Sequence, residues 1–363
     1  MNLSKNNTSK DMMEVNNDLR HERVSKIIME EMFKVKTGET VAITADSGSD
    51  KTIINALAKA AATAGGLPLV MWIPKAKQDG QAGMEEWPSA ALTAALCKVD
   101  VWVEAQSTII LYSDIWETAM AENKKLRYLI IGDTKIDSLV RTFAGFDIQL
   151  LGNLLHKVTD MAKAAKKVRI TSKNGTDVSY ETNPDYAFDF DDGDFSKPKF
   201  CTAPGYVNIV PKIGSMNGKI VFDTLMQADI FNNDNHVEFI MQDGMITEIN
   251  GNKEAEKFAH FLGSFKDPNM YKISHNMFGL NPGIRRLSGD IVEDERIWGG
   301  VDFGFGHTSP IDMPPFGQTA KSHFDGVVAK VSIYLDGQMI VDDGEVCYPT
   351  LKDLAKEILA QYE

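Results

Sequence analysis

Between Val24 and Ile131 the sequence alternates between two hydrophobic periods. From Val24 the apolar residues Ile27, Ile28 and Met32 recur at helical spacing, and Thr37-Gly38-Glu39 then turns the chain into the apolar run Val41-Ala42-Ile43. That pattern predicts a helix, a turn and a buried strand. Lys51 to Ala64 is alanine-rich with Ile53, Ile54 and Leu57 on one face, stops at Gly65-Gly66, and gives way to the strand-like run Leu67 to Trp72. The unit repeats, with Pro88 to Leu96 and Ile115 to Glu122 as helices and Val99 to Val103 and Leu129 to Ile131 as strands. A helix between successive strands supplies the crossover a parallel pair needs, so the alternation predicts an α/β domain with a mainly parallel sheet covered by helices.

After a helical stretch around Ile148 to Ala165 the texture changes to short β-rich runs punctuated by turns. Val168 to Thr171 precedes Asn174-Gly175, Val237 to Ile240 precedes Asp243-Gly244, and Val331 to Leu335 precedes Asp336-Gly337. Asn-Gly and Asp-Gly supply the positive φ of tight hairpin turns, which predicts antiparallel pairing. With Glu254 to Leu262 as a single helix among them, the second domain reads as α+β and mostly antiparallel. The expected organisation is a frayed polar segment 1–20, an α/β domain 21–165 and an α+β domain 166–363.

Composition narrows the function classes. The 363 residues carry a formal net charge of -13, which repels phosphate backbones and anionic lipid surfaces alike. Neither nucleic acid nor membrane is an expected partner; a small-molecule substrate is. Hydrophobic residues make up 43%, yet no run of roughly 18 apolar residues occurs and the N-terminus lacks the apolar core of a secretory signal. Cys97, Cys201 and Cys347 are odd in number and unpaired in spacing, which fits a reducing cytoplasm.

Among seven histidines, only His323 belongs to a His-x-Asp pair, and it has a strand-like context, in Ser322-His323-Phe324-Asp325. In a strand, residues i and i+2 project to one face, so an imidazole and a carboxylate there can grip one ion. His275, in the glycine-punctuated segment Ile273 to Gly279, is the best third candidate. Two imidazoles and one carboxylate make the facial triad of mononuclear non-haem iron(II) sites. Spacing alone is a weak signal, since a His-x-Asp pair often occurs by chance and a structural pair is the default.

Other polar features read more plainly. Gly299 to His307 needs its glycines for turns and close backbone approach, and His307 belongs at a pocket rim or on the surface. Glu293 to Glu295 reads as a solvated turn with one carboxylate facing a cleft. The acidic stretch 185–194 lacks the register of a calcium loop and reads as exposed. Ser47 to Lys51 lacks the glycine spacing of a phosphate-binding loop. Arg285-Arg286 reads as solvated.

The segments IVPKIGSMNGKIVFD, FKDPNMYKISHNMFGLNPGIRR, EDERIWGGVDFGFGH and SHFDGVV resemble the aminopeptidase T metallopeptidases in outline and, more closely, the 2,5-dihydroxypyridine 5,6-dioxygenases. The likeness extends over nearly the whole chain and is specific around the candidate ligands. It implies an aminopeptidase T-like fold whose second domain binds metal. The peptidases hold two ions; here Tyr206 stands in the place of their first glutamate, His275 in that of the second, and Asp302 in that of a histidine. His275, His323 and Asp325 match the one-iron set of the dioxygenases.

The resemblance therefore implies an Fe(II) enzyme that opens a hydroxylated, N-heterocyclic aromatic ring. Tyr112 falls where those enzymes carry a histidine base and would orient a substrate hydroxyl. Glu295 falls where they carry an arginine. Asp302, His307 and Tyr206 would line the pocket. The alternative is a hydrolase of the aminopeptidase T type, using Zn, Mn or Co with Asp302 or Glu295 assisting, and a third reading is a binding module without chemistry. Both related families associate, and a β-rich domain has edges to pair, so a homo-oligomer is expected.

Overall fold

The computed structural model describes residues 19–77, 81–231 and 235–361. Residues 1–18 of the segment expected to fray lie outside these, while Leu19 and Arg20 already belong to a helix over 19–26 that continues into the π-helical turns Ile27–Met32. Contacts divide the chain into two compact units, Met1–Gly145 with Gly193–Ala203, and Phe146–Asp192 with Pro204–Glu363.

In the first unit five strands form one sheet in the order Leu67–Ile73, Thr40–Asp46, Val101–Glu104, Arg127–Ile130, Lys199–Cys201, and every neighbouring pair is parallel. The helices Lys51–Thr63 and Asp114–Glu122 start where the sequence provides caps: Asp50 accepts from the Thr52 amide and Ser113 from the Trp116 amide. Such caps satisfy amide groups that a helix start leaves unpaired. Behind the sheet Trp102, Tyr128 and Trp116 pack edge to face, with ring centroids 4.6 and 6.1 Å apart. The Glu104 carboxylate is fully buried there, accepting from Tyr128 Oη at 2.5 Å and the Ile110 amide at 2.6 Å.

The second unit holds an eight-stranded and a six-stranded sheet, both antiparallel throughout. The six-stranded sheet runs in the order Thr224–Leu225, Gln318–Val328, Gly300–Thr308, Ile273–Gly279, Tyr206–Ile209, Phe188–Asp191. Residues of both sheets share one core: Ile170, Val178, Ile220 and Phe239 of the first meet Phe278, Phe303, Phe305 and Phe324 of the second. The Phe305 and Phe324 rings stack at 5.1 Å and Phe239 meets Phe305 edge-on at 5.5 Å. Burying several aromatic rings of this size against one another is the dominant favourable contribution to such a core.

Four expectations differ from the structure. The helix Ile148–Ala164, placed at the end of the first domain, packs Leu151, Leu154, Leu155 and Val158 into the core of the second unit. The division thus falls at Gly145 rather than 165. The first unit also recovers residues 193–203, because Lys199–Cys201 adds to its sheet beside Arg127–Ile130; a three-residue strand carries no periodicity to detect. A second long helix, Pro349–Ala360, joins the core through Leu351, Ala355 and Ile358. Finally, the acidic stretch 185–194 is not simply exposed: Phe188–Asp191 is a strand with Phe188 and Asp191 buried.

Candidate metal centre

The strands of the six-stranded sheet send alternate side chains to opposite faces. Phe303, Phe305 and Phe324 point into the core. The residues between them line the opposite face, where the register sets His275 beside Gly304 and Gly304 beside Asp325, with Gly306 opposite His323. A register shift between Ile273 and His275 is decisive. The extra residue of such a bulge turns the following side chain over, so Ile273 enters the core while His275 joins the opposite face.

These placements bring three of the expected ligands together. His275, His323 and Asp325 each offer a donor atom, all within 4.8 Å of one another. His323 Nε2 lies 2.9 Å from Asp325 Oδ1 and His275 Nε2 lies 3.6 Å from the same oxygen, with the two imidazoles stacked at 5.1 Å. His323 Nδ1 donates to the His307 carbonyl at 2.8 Å, which turns Nε2 towards Asp325. Fixing one ring nitrogen with a backbone acceptor is how a metal-binding imidazole is usually oriented. A fourth group enters from the neighbouring strand, with Asp302 Oδ2 3.1 Å from His275 Nε2. Asp302 is fully buried and its Oδ1 makes no hydrogen bond. Two imidazoles and a carboxylate whose donor atoms lie this close together fit a divalent cation.

Burial and close charges shift the ionisable groups of the site. Burial and the neighbouring His323 push the His275 imidazole down to about 4, so it is neutral at physiological pH. Burial opposes the His323 imidazolium, but the adjacent Asp325 carboxylate outweighs this and raises it to about 9. Burial, reinforced by the Asp325 and Glu295 carboxylates, lifts Asp302 well above the usual carboxylate range.

Glu295 is not on a solvated turn. Glu293 and Asp294 are buried, and Glu295 pairs with the buried Arg296 guanidinium at 2.5 Å, while Arg296 lies 5.3 Å over the Tyr206 ring. Burial pushes the Glu295 carboxyl up to about 7 despite that partner. Gly279 admits this segment, since a Cβ there would meet the Ile297 carbonyl at 2.2 Å. His307 contributes its carbonyl, to His323 and also to the Ser274 hydroxyl. Tyr112 belongs to the first unit, where it is half-exposed, adopts φ 65° and packs against Trp116.

A family model for 2,5-dihydroxypyridine 5,6-dioxygenase matches residues 28–348. The chain belongs to that family. Within it, the 2,5-dihydroxypyridine 5,6-dioxygenase of Pseudomonas putida KT2440 is 26% identical over 207 residues, a match that spans 52% of this chain and about half, 56%, of that enzyme. The solved structure of the Pseudomonas putida KT2440 2,5-dihydroxypyridine dioxygenase shares the fold, with a TM-score of 0.77 at 20% identity over 92% of this chain and 99% of that one. Wild-type aminopeptidase T (AmpT) of Thermus thermophilus shares it at a TM-score of 0.66 and 11% identity, over 91% and 99% of the two chains.

Sequence reasoning missed three contributors to the centre: the His307 carbonyl, the Arg296 partner of Glu295, and Gly304. Carbonyl direction leaves no trace in residue identity. Arg296 adjoins an acidic triplet, and that adjacency was the available signal. Gly304 was legible as a close-approach glycine, but not as the one facing His275.

Proposed function

We propose that this protein is a metal-dependent ring-cleaving dioxygenase acting on a hydroxylated, nitrogen-containing aromatic ring such as a dihydroxypyridine, with iron(II) held by His275, His323 and Asp325. The observation that carries the reading is the convergence of two imidazole Nε2 atoms on one carboxylate oxygen, at 2.9 and 3.6 Å, in a chain of this family. Iron(II) on such a facial donor set would couple the electrons of an electron-rich ring to dioxygen, using the positions the protein leaves open.

The chain's own residues prepare that chemistry. The His307 carbonyl fixes the His323 tautomer so that Nε2 is a donor. The low basicity of His275 keeps its nitrogen unprotonated at neutral pH. Arg296 offsets the charge of Glu295 beside the ligands, so the carboxylate that replaces the family's arginine does not stand alone. No helix among the described residues is long and apolar enough to cross a membrane, and a small polar aromatic substrate needs no membrane.

The test is anaerobic reconstitution with iron(II), followed by oxygen uptake in the presence of dihydroxypyridines. Stoichiometric oxygen consumption with loss of the aromatic absorbance is expected. Absence of uptake with every such ring, together with oxygen-independent turnover of peptides or amides, would instead establish the hydrolase reading. That second reading draws its support from Asp302, a carboxylate placed where it could assist a metal-activated water.

A further inference from the structure

We infer that Asn208 sets the specificity of the site, its side-chain oxygen accepting a hydrogen bond from a ring N–H of the substrate. The inference deepens the function proposed above and rests on its substrate class, a hydroxylated nitrogen heterocycle.

Strand alternation places the residue. Val207 and Ile209 enter the core between the two sheets, so Asn208 projects to the opposite face, the one that carries His275 and Asp325. The register sets Asn208 opposite Met277. His275 lies two residues before Met277 on the same strand and is therefore a diagonal neighbour of Asn208, at about 7–8 Å in an antiparallel pair. A six-membered ring with two oxygen substituents spans a gap of that order. On its other side Asn208 stands opposite Asp189, and the Asp312 carboxyl interacts electrostatically with both Asp189 and the ligand His323. The partner of Asn208 thus lies within charge range of the metal centre.

Hydrogen bonding fixes the direction of the amide. Asn208 Nδ2 donates to Asp189 Oδ1 at 2.9 Å. A carboxylate oxygen only accepts, so this contact decides which end of the amide is nitrogen and turns Oδ1 away from Asp189. Asn208 is 8% exposed, and its Oδ1 is buried without a hydrogen-bond partner. A buried carbonyl in that position forfeits a hydrogen bond, which a ligand N–H restores. Tyr206, the preceding residue of the strand on this face, is already covered by the Arg296 guanidinium at 5.3 Å. Met277, which faces Asn208 across the sheet, has an unbranched thioether that can give way to a ring. In its lactam form a 2-hydroxypyridine carries hydrogen on the ring nitrogen, the donor that Oδ1 lacks. A carbocyclic diol of the same shape offers only C–H there.

The measurement is anaerobic binding of 2,5-dihydroxypyridine and of benzene-1,4-diol to the iron(II)-loaded whole protein, by isothermal titration calorimetry. Wild type should bind the pyridine at least about tenfold more tightly than the diol, and N208L should bring the two affinities within about twofold by weakening the pyridine alone. Should N208L not fold, as judged by circular dichroism of the metal-free protein, N208S is read in the same way, since its hydroxyl stops short of the amide oxygen's position. A pyridine preference that survives the substitution overturns the inference. So does an equal loss for both rings, which is what a merely structural role would give, and so does a wild type that shows no preference. Oxygen uptake is read separately. A preference that depends on Asn208 without oxygen consumption would remove the dioxygenase reading and leave Asn208 reading the ring nitrogen, whereas uptake by both proteins with the preference intact in N208L would do the reverse.

Discussion

A Cβ at position 304 would stand 2.4 Å from Cε1 and 2.7 Å from both ring nitrogens of His275, on the adjoining strand. The imidazole therefore lies flat over a residue that has no side chain, and this is what lets Nε2 reach Asp302 and Asp325. Replacing Gly304 by alanine should leave the sheet intact at a cost of ~1–3 kcal/mol for overpacking, while displacing the ring and lowering metal affinity at least about tenfold. Metal titration of G304A, beside a denaturant melt of the metal-free protein, checks both halves; unchanged affinity would mean that the ring is free to move without consequence.

Metal binding should be linked to stability through the same residues. Any ion bound by the folded protein alone stabilises it by about 2.7 kcal/mol at a hundredfold excess over its dissociation constant. Differential scanning calorimetry should show the melting temperature of wild type rising on addition of iron(II) or Mn(II), and no such rise in H323A or H275A. An equal rise in H323A would place the ion elsewhere.

The Glu295 and Arg296 pair is buried on both sides, with side-chain exposures of 13% and 4%. Removing one charge from such a pair strands the other, which costs about 3–5 kcal/mol, whereas removing both costs far less. Urea unfolding should therefore rank R296M as more destabilised than the double variant E295Q/R296M. If the two were equally unstable, the loss would come from packing against Tyr206 rather than from charge.

In the first unit, burial of Glu104 raises its carboxyl from 4.5 to about 7 in spite of its bonds to Tyr128 and Ile110. Its unfolded value is the lower one, so the folded protein binds the extra proton. The associated stability is fully present below about pH 4.5 and is lost as the pH rises to about 7, amounting to about 3 kcal/mol at roughly 1.4 kcal/mol per unit. E104Q should flatten this dependence and be more stable than wild type at pH 8. Unfolding curves across that range test the sign directly.

The architecture was largely legible because period is a local property. The alternation through Val24 to Ile131 marked helices and strands that form a parallel sheet, and the Asp-Gly and Asn-Gly turns marked hairpins. What failed was assignment of elements to units: nothing local in Ile148–Ala164 says which core its leucines will enter, and nothing in Lys199–Cys201 says which sheet it will extend.

The same division holds at the centre. Sequence placed His323 and Asp325 on one face of a strand, since two residues per period settles that without any partner, and its glycine-punctuated segment made His275 the third candidate, which the resemblance supported. Only the folded sheet decided that His275 faces them. A one-residue bulge beside Ser274 reverses its direction, Gly304 on the next strand vacates the space for its ring, and Asp302 arrives through a cross-strand register that no spacing along the chain encodes. Sequence fixes which face a side chain takes within its own strand; which strands lie side by side, and in what register, is set by packing over the whole unit.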